Sequence, residues 1–551
     1  MKQAGNKHIN SFLNSFYKFK RDINRWSFAT LFILLLIAVP VFTIGIELFD
    51  GPGESWSHIT AYLLPSYLKN SLYLAILCSI TTILFGVSSA WLVTRYEFPL
   101  RKIVEFLLII PLAIPSYIVA YAYAGFFDYG GVYADFMLWF GVAKAKIDLM
   151  NVFGLAFVLS VSLFPYVYVS SRAFFLNQAV NLLEASRLLG VSERKSFLKL
   201  ILPLARPAVV AGLVLVIMEV LNDYGAAQYF GVNTFTTGIF RSWFALEEPE
   251  TAIYLSALLL ILVFGLILFE KWHRRKIQYS SVKSANSKTN SRIVLPKFQQ
   301  YLISIVVLIP VVLGFFIPVL QLLIWAYKTA DSFMNQSLLW LSFQSFGIAF
   351  ITAFFTVFFA LVLLYFSKWN KIVAVQHAAK LGVLGYAIPG AVVAIGVMIP
   401  TLFIDKYLIE KGLITQFLIN GTLIALVYAY VVRFLAVAYQ PLESSSLKVS
   451  NSIPDSSKIL GMGNFKTFLK IEFPLIRAGM LSAFILVFID TLKELPLTLI
   501  LKPYHINTLA VKAYQFASDE MVMHAAIPSL FIILTALIPV IFLNKLLLKN
   551  E

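Results

Sequence analysis

Four carboxylates sit in segments that otherwise read as membrane helix. Glu219 and Asp223 interrupt MEVLNDYGAAQYF, residues 218–230, directly after the apolar run 208–217. A spacing of four puts both on one helical face, one turn apart. A charge near the bilayer centre costs at least ~2.5 kcal/mol, so two of them in one apolar segment call for a reason. Asp490 and Glu494 repeat the spacing in IDTLKELPLT. Carboxylate and phenolate oxygens suit hard cations, and Tyr224 and Tyr229 flank the first pair. An anion carrier would instead want Arg, Lys or free backbone N–H groups.

Glu219, Asp223, Asp490, Glu494 and Tyr224 are therefore candidate residues of a substrate pathway. A structural alternative stands beside this reading, because acids inside helix bundles also pair with cations or cap broken helices. Gly225 and Pro496 follow the acids at matching positions, which predicts a helix break with Asp223 and Glu494 in an unwound segment. Lys493 is a poor partner for Glu494 within one helix, since sequence neighbours point about 100° apart. Tyrosines in such places also serve as interfacial anchors.

The elements that position these groups are membrane spans. The chain has 551 residues, of which 60% are hydrophobic and 13% charged, and its mean hydropathy is +0.82. Soluble domains run at about 45–50% apolar and about 25% charged. Apolar runs long enough to cross ~30 Å of hydrocarbon predict an all-α polytopic membrane protein with about twelve spans. They lie near 27–48, 71–94, 104–126, 151–173, 207–229, 251–270, 301–326, 346–366, 381–403, 421–439, 478–500 and 525–545. The first is too long to be a signal peptide.

The formal net charge of +16 reports orientation, not nucleic-acid binding. Lys and Arg concentrate in the termini, the linker and alternate loops, which places both termini in the cytoplasm. Attraction to anionic membrane lipid is a secondary consequence. Cys78 is the sole cysteine, and the six histidines show no HExxH pattern. A disulfide framework, a Cys-based metal site and a zinc enzyme therefore have no support.

The chain is a tandem duplication. The first half, 1–270, and the second, 298–551, are separated by a polar, basic, Ser- and Asn-rich linker, 271–297. RLLGVSERKSFLKLILPLARP from Arg187 matches KILGMGNFKTFLKIEFPLIRA from Lys458 at a constant offset of 271 residues. Upstream, LAIPSYIVA near Pro115 matches YAIPGAVVA near Pro389 at an offset of 274. Six spans per half make the repeat parallel, about an axis along the membrane normal, unlike inverted-repeat transporters. The 271 offset carries Glu219 onto Asp490 and Asp223 onto Glu494, so the acids occupy equivalent fifth spans. This suggests a pathway between the halves.

Each half also carries a charged insert before its fifth span, near 181–207 and 452–478. The pattern is short helix, Gly turn, short helix, then Pro. Phe197, Leu198 and Leu202 recur as Phe468, Leu469 and Phe473, an apolar stripe suited to lipid or to a docked partner. These inserts resemble the EAA loop of bacterial ABC-importer permeases. The first copy reads Glu184-Ala185-Ser186, Gly190 and Leu202-Pro203. The second reads Asp455-Ser456-Ser457, Gly461 and Phe473-Pro474, departing by Asp for Glu and Phe for Leu.

Over nearly its whole length the chain is similar to the fused, two-loop permeases of ferric-iron importers, the Fbp/Sfu type. That resemblance implies a type I ABC-importer permease fold in the bacterial inner membrane, moving iron(III) by alternating access. It implies two cytoplasmic ABC ATPase subunits, one seated on Glu184, Ala185, Gly190 and Pro203, the other on Asp455, Ser456, Gly461 and Pro474. It implies a periplasmic iron-binding protein, and transient, weak contact of iron with Glu219, Asp223, Asp490 and Glu494. No Walker A sequence is present; the expectation is a permease that is not an enzyme, with ATP and Mg on partner subunits and no cofactor of its own. The alternatives are an ABC permease for thiamine or a polyamine, and a proton-coupled secondary transporter using the acids as relays.

Overall fold

The computed structural model describes residues 25–142, 147–176, 186, 190–275, 292–333, 336–370, 372, 375–376, 378–379, 388–450 and 452–548. The fold is helical almost throughout; the described strand pairing is a two-residue parallel bridge of Tyr96–Glu97 with Ile293–Val294. Ten described helices are long and apolar enough to cross a bilayer. Arg101–Ala113 and Ser116–Trp139, bent by 95°, form a broken eleventh. The shorter Val522–Ile538 lies in the twelfth expected span. The ninth expected span, 381–403, begins in residues outside those described, and its helix is Gly390–Glu410.

The helices are apolar outside and partly polar inside, as a bilayer demands. Phe28 and Leu534 are more than half exposed, whereas Thr82, Ser160 and Thr352 are fully buried. Two of those buried hydroxyls are satisfied by their own helix: Thr82 donates to Cys78 O at 2.6 Å and Ser160 to Ala156 O at 2.6 Å.

A recurrent distortion follows from proline. The π-helical turns Ile59–Leu63, Phe197–Ile201, Val312–Phe316 and Phe468–Glu472 each end two residues before a proline, Pro65, Pro203, Pro318 and Pro474. Proline lacks the N–H that would bond the carbonyl four residues back, and its ring crowds that carbonyl. Widening the turn by one residue lets the preceding N–H reach the carbonyl five back, as Leu202 does to Phe197 and Phe473 to Phe468.

The chain forms two compact units, and these cut across the sequence halves 1–270 and 298–551. One unit comprises residues 1–49 and 343–507. In it the first span, Arg25–Glu47, lies against Gly390–Glu410 of the second half. A Cβ on Gly396 would come within 2.4 Å of Pro40 O. Tyr428 donates to Leu36 O, and Asn370 to the Ser27 hydroxyl at 2.9 Å.

The other unit comprises 50–342 and 508–551. Here the second-half helices Lys297–Val311 and Ile317–Phe333 pack on first-half elements. Tyr123 donates to Leu313 O at 2.6 Å, and the Trp325 ring fills the space beside Gly125. Its densest packing sets Leu64–Arg95 and Leu202–Asn222 against Val152–Phe174. Cβ atoms on Gly86 and Gly212 would meet Tyr168 N at 2.9 Å and Tyr166 O at 2.8 Å, backbone that does not give way. Gly212→Leu is expected to destabilise by at least ~1–3 kcal/mol and to lower the thermal unfolding midpoint in detergent. Gly265→Leu, on a helix face with nothing within 4 Å, should leave the midpoint unchanged; equal midpoints for the two variants would contradict the packing.

Candidate functional site

The expected breaks at the ends of the fifth spans are present, and they coincide in detail. Helix Leu202–Asn222 ends at Asp223 with φ −67°, ψ 123°, and helix Phe473–Lys493 ends at Glu494 with φ −70°, ψ 123°. Short helices follow, Gly225–Tyr229 and Pro496–Leu501. Each acid turns back to cap its short helix. Ala226 and Ala227 N–H donate to Asp223 Oδ1 at 3.0 and 3.1 Å, and Leu497 N–H donates to Glu494 Oε1 at 3.2 Å. A carboxylate is favoured there because the first N–H groups of a helix lack partners and its N-terminal end is positive.

The two acids differ in everything else that touches them. Glu494 Oε2 accepts from Arg433 Nη2 at 3.2 Å, with both side chains about 95% buried. A Cβ on Gly390 would lie 2.3 Å from Arg433 Nη1, so glycine makes room for the guanidinium. The 274 offset carries Gly390 back onto Ser116, whose hydroxyl donates to Asp223 Oδ2. The 271 offset carries Arg433 onto Ser162, which is buried and bonds the Val158 carbonyl of its own helix at 2.9 Å. Among the described residues, no Lys or Arg forms a salt bridge with Asp223.

Asp490 pairs with Lys493 at 2.8 Å, three residues on, so Lys493 serves that acid and Arg433 serves Glu494. Glu219 lies half-buried, close enough to Asp223 for the two charges to interact. Among the described residues, no three His, Cys, Asp or Glu side chains gather as a metal-holding group.

Tyr224 is buried, stacked at 3.7 Å on Phe240, and its hydroxyl lies 3.0 Å from that of Tyr514. Tyr121 meets Tyr229 edge-on at 4.6 Å and Tyr117 at 5.8 Å. Three short helices therefore converge at Asp223: Ser116–Phe127, Gly225–Tyr229 and Leu509–Ser518. Tyr229 also walls a cavity of about 570 Å³ lined by Asp128, Asp148, Glu520 and His524.

The two inserts are likewise matched. Glu184 and Ala185 lie outside the described residues, but Ser186 is buried, as is its equivalent Ser457. Gly190 and Gly461 take the left-handed conformation, φ 72° and 81°. Val191 N–H bonds Ser186 O at 3.0 Å and Met462 N–H bonds Ser457 O at 3.1 Å, the wrap that closes a helix C-terminus. Ser457 Oγ sits 2.7 Å from Thr467 Oγ1 inside the second turn. Asp455 and Ser456 are exposed, with Lys458 at 3.6 Å from Asp455. Pro474 is exposed, and Pro203 half-exposed, each in the first turn of its fifth span.

Each insert is fastened to the end of its second span. Phe197 meets Trp91 at 4.4 Å and Phe468 meets Tyr365 at 4.3 Å, equivalent pairs in the two repeats. Ion pairs accompany them, Arg95 with Glu193 and Lys368 with Glu472 at 3.1 Å. Leu198 and Leu469 remain about half exposed on the outer face of each insert.

The sequence reading missed Ser116, Tyr121, Arg433 and Tyr514. Arg433 had a signal, a lone cation inside the apolar run 421–439. The others had none, because serine and tyrosine are ordinary in membrane helices.

Duplicated halves of membrane-spanning helices, matched inserts anchored to the spans and broken helices carrying acids fit one class: a multi-pass permease subunit of an ATP-binding-cassette importer. Residues 82–277 match the model of the binding-protein-dependent transport system inner membrane component family. The chain is 25% identical over 492 residues to the Fe(3+)-transport system permease protein FbpB 2 of Haemophilus influenzae, covering 88% of this chain and 90% of that protein. It is 27% identical over 204 residues to the sulfate transport system permease protein CysT of Salmonella typhimurium, 37% of this chain and 72% of that protein. It is 26% identical over 223 residues to the spermidine/putrescine transport system permease protein PotB of Escherichia coli, 39% and 80% respectively.

Proposed function

We propose that the chain translocates iron(III) across the bacterial inner membrane by alternating access, with both termini in the cytoplasm. Two cytoplasmic ATPase subunits, holding ATP and Mg, seat on the inserts, one around Glu184, Ala185, Gly190 and Pro203 and the other around Asp455, Ser456, Gly461 and Pro474. A periplasmic iron-binding protein delivers the ion to the opposite face. The observation that carries the iron assignment is the extent of likeness. The ferric relative matches both halves, 88% of the chain, whereas the sulfate and polyamine relatives match 37% and 39%. The oxygen-rich surroundings of Asp223, with phenols and carboxylate, suit a hard cation, and among the described residues no guanidinium pairs with it.

The test is uptake of radioactive iron into proteoliposomes holding the chain with its ATPase and binding protein. ATP sealed in the compartment of the inserts should drive uptake in the wild type. Replacing Glu219 and Asp223 by their amides should remove it. Uptake of spermidine or thiamine in place of iron would move the assignment to an organic cation. Uptake without ATP, abolished when the proton gradient collapses, would point to a secondary carrier.

A further inference from the structure

We infer that the chain holds one cargo cation, at Asp223, and that Arg433 is a tethered cation filling the equivalent place at Glu494. This rests on the cation-importer reading and goes beyond it by making the two repeats unequal. The backbone at the two acids is the same to within a few degrees, and each caps the short helix after it, Asp223 with two N–H bonds and Glu494 with one. The environments differ at two matched positions. Where the second half has Arg433 and the glycine that admits it, the first has Ser162 and Ser116. Glu494 is buried and Asp223 half-buried, and a carboxylate taken even partly out of water is costly without a compensating charge. The second half supplies that charge covalently, and among its described neighbours the first does not.

The first-half site has a further open group. Tyr121 is 1% exposed, and its hydroxyl has no hydrogen-bond partner among the described residues. Tyr121 lies about one and a half turns along the helix from Ser116, which bonds Asp223, and its ring meets that of Tyr229 on the short helix that Asp223 caps. Asp223 Oδ2 carries one hydrogen bond, from Ser116, and retains acceptor capacity. A ferric ion seated between them would take the Asp223 carboxylate and Tyr121 phenolate as oxygen ligands, and the phenolic proton would leave to water. The acid-lined cavity against Tyr229 lies next to this cluster.

The experiment is equilibrium binding of ferric ion, supplied as ferric citrate, to the full chain in lipid nanodiscs. The readouts are bound iron per chain and visible phenolate-to-iron absorption. Wild type is expected to bind one ion per chain. Asp223→Asn should weaken binding more than tenfold, and Tyr121→Phe should remove the visible band. The double variant Arg433→Gln/Glu494→Gln, which removes both charges and leaves no buried ion unpaired, should still bind one ion with unchanged affinity. Two ions per wild-type chain, an unweakened Asp223→Asn, or loss of the site in the double variant would each overturn the inference. Circular dichroism and thermal unfolding of each variant separate loss of the site from loss of the fold. If ATP-driven iron uptake survives in Asp223→Asn, the importer reading stands and this site falls. If Asp223-dependent binding is found for spermidine but not iron, both the metal site and the iron reading fall.

Discussion

Arg433→Met is expected to destabilise the unit that contains it by about 3–5 kcal/mol, the usual cost of leaving one member of a buried ion pair alone. The guanidinium and the Glu494 carboxylate are each about 95% buried and 3.2 Å apart. Their surroundings are shaped for them, since Gly390 leaves no room for a Cβ beside either group. Without Arg433, Glu494 keeps its bond from Leu497 N–H but loses its counter-charge. The same carboxylate caps Pro496–Leu501, so the loss reaches the helix break as well as the pair. The double variant Arg433→Gln/Glu494→Gln should recover most of the lost stability, because two neutral amides can bond each other. Thermal unfolding in detergent, followed by intrinsic fluorescence, measures both. A single variant as stable as wild type, or a double variant no better than the single, would remove the structural role given to the pair.

Phe197→Ala combined with Phe468→Ala is expected to cut ATP-driven uptake by roughly tenfold or more, while ATP hydrolysis by the assembled complex persists. That is the loss of ~1.4 kcal/mol of coupling, within the range of site-to-site coupling energies. Each phenylalanine lies in a π-helical turn of its insert and rests on the end of a second span, against Trp91 or Tyr365. On the proposed reading, movement of an ATPase subunit against the insert would reach the spans through this contact and the adjoining ion pairs, Arg95 with Glu193 and Lys368 with Glu472. Alanine leaves the insert's Gly turn and its exposed outer face in place, so docking should survive. Leu198→Ala and Leu469→Ala, on that outer face, should instead weaken association with the ATPase. Uptake and hydrolysis falling together in the Phe variants would mean that these rings serve docking or folding rather than transmission.

The candidate site was partly legible because its features are local. The acids at a spacing of four, the glycine or proline after them and the glycine of each insert are contiguous signals tied to backbone conformation. The repeat then supplied an internal control, since one offset aligns the acids, the breaks and the insert turns. The structural half of the acids' role was legible only as an alternative. Asp223 and Glu494 cap the short helices that follow them, and Asp490 finds Lys493 one turn on.

Pairing across helices was not legible. Arg433 and Glu494 lie on separate segments far apart along the chain, and nothing in either segment names the other. The same holds for Tyr121, Tyr224 and Tyr514, whose rings come from three segments brought to one place. The offsets align the halves, but they do not show that a glycine in one and a serine in the other decide whether a guanidinium fits.

By itself the sequence determined a polytopic helical membrane chain, its duplication, the helix breaks and the insert turns. Hydrophobic run length, repeat offset and backbone preference are properties of contiguous residues. The tertiary structure decided that the first span, Arg25–Glu47, joins a unit otherwise built from the second half, while second-half helices from 297 to 333 join the other. It also decided which acid is neutralised from within the chain. A span that is apolar all round can pack in any bundle, and a buried charge takes whichever opposite charge the packing brings to it. Close fit between helices, at glycines such as Gly396 and Gly390, makes those choices.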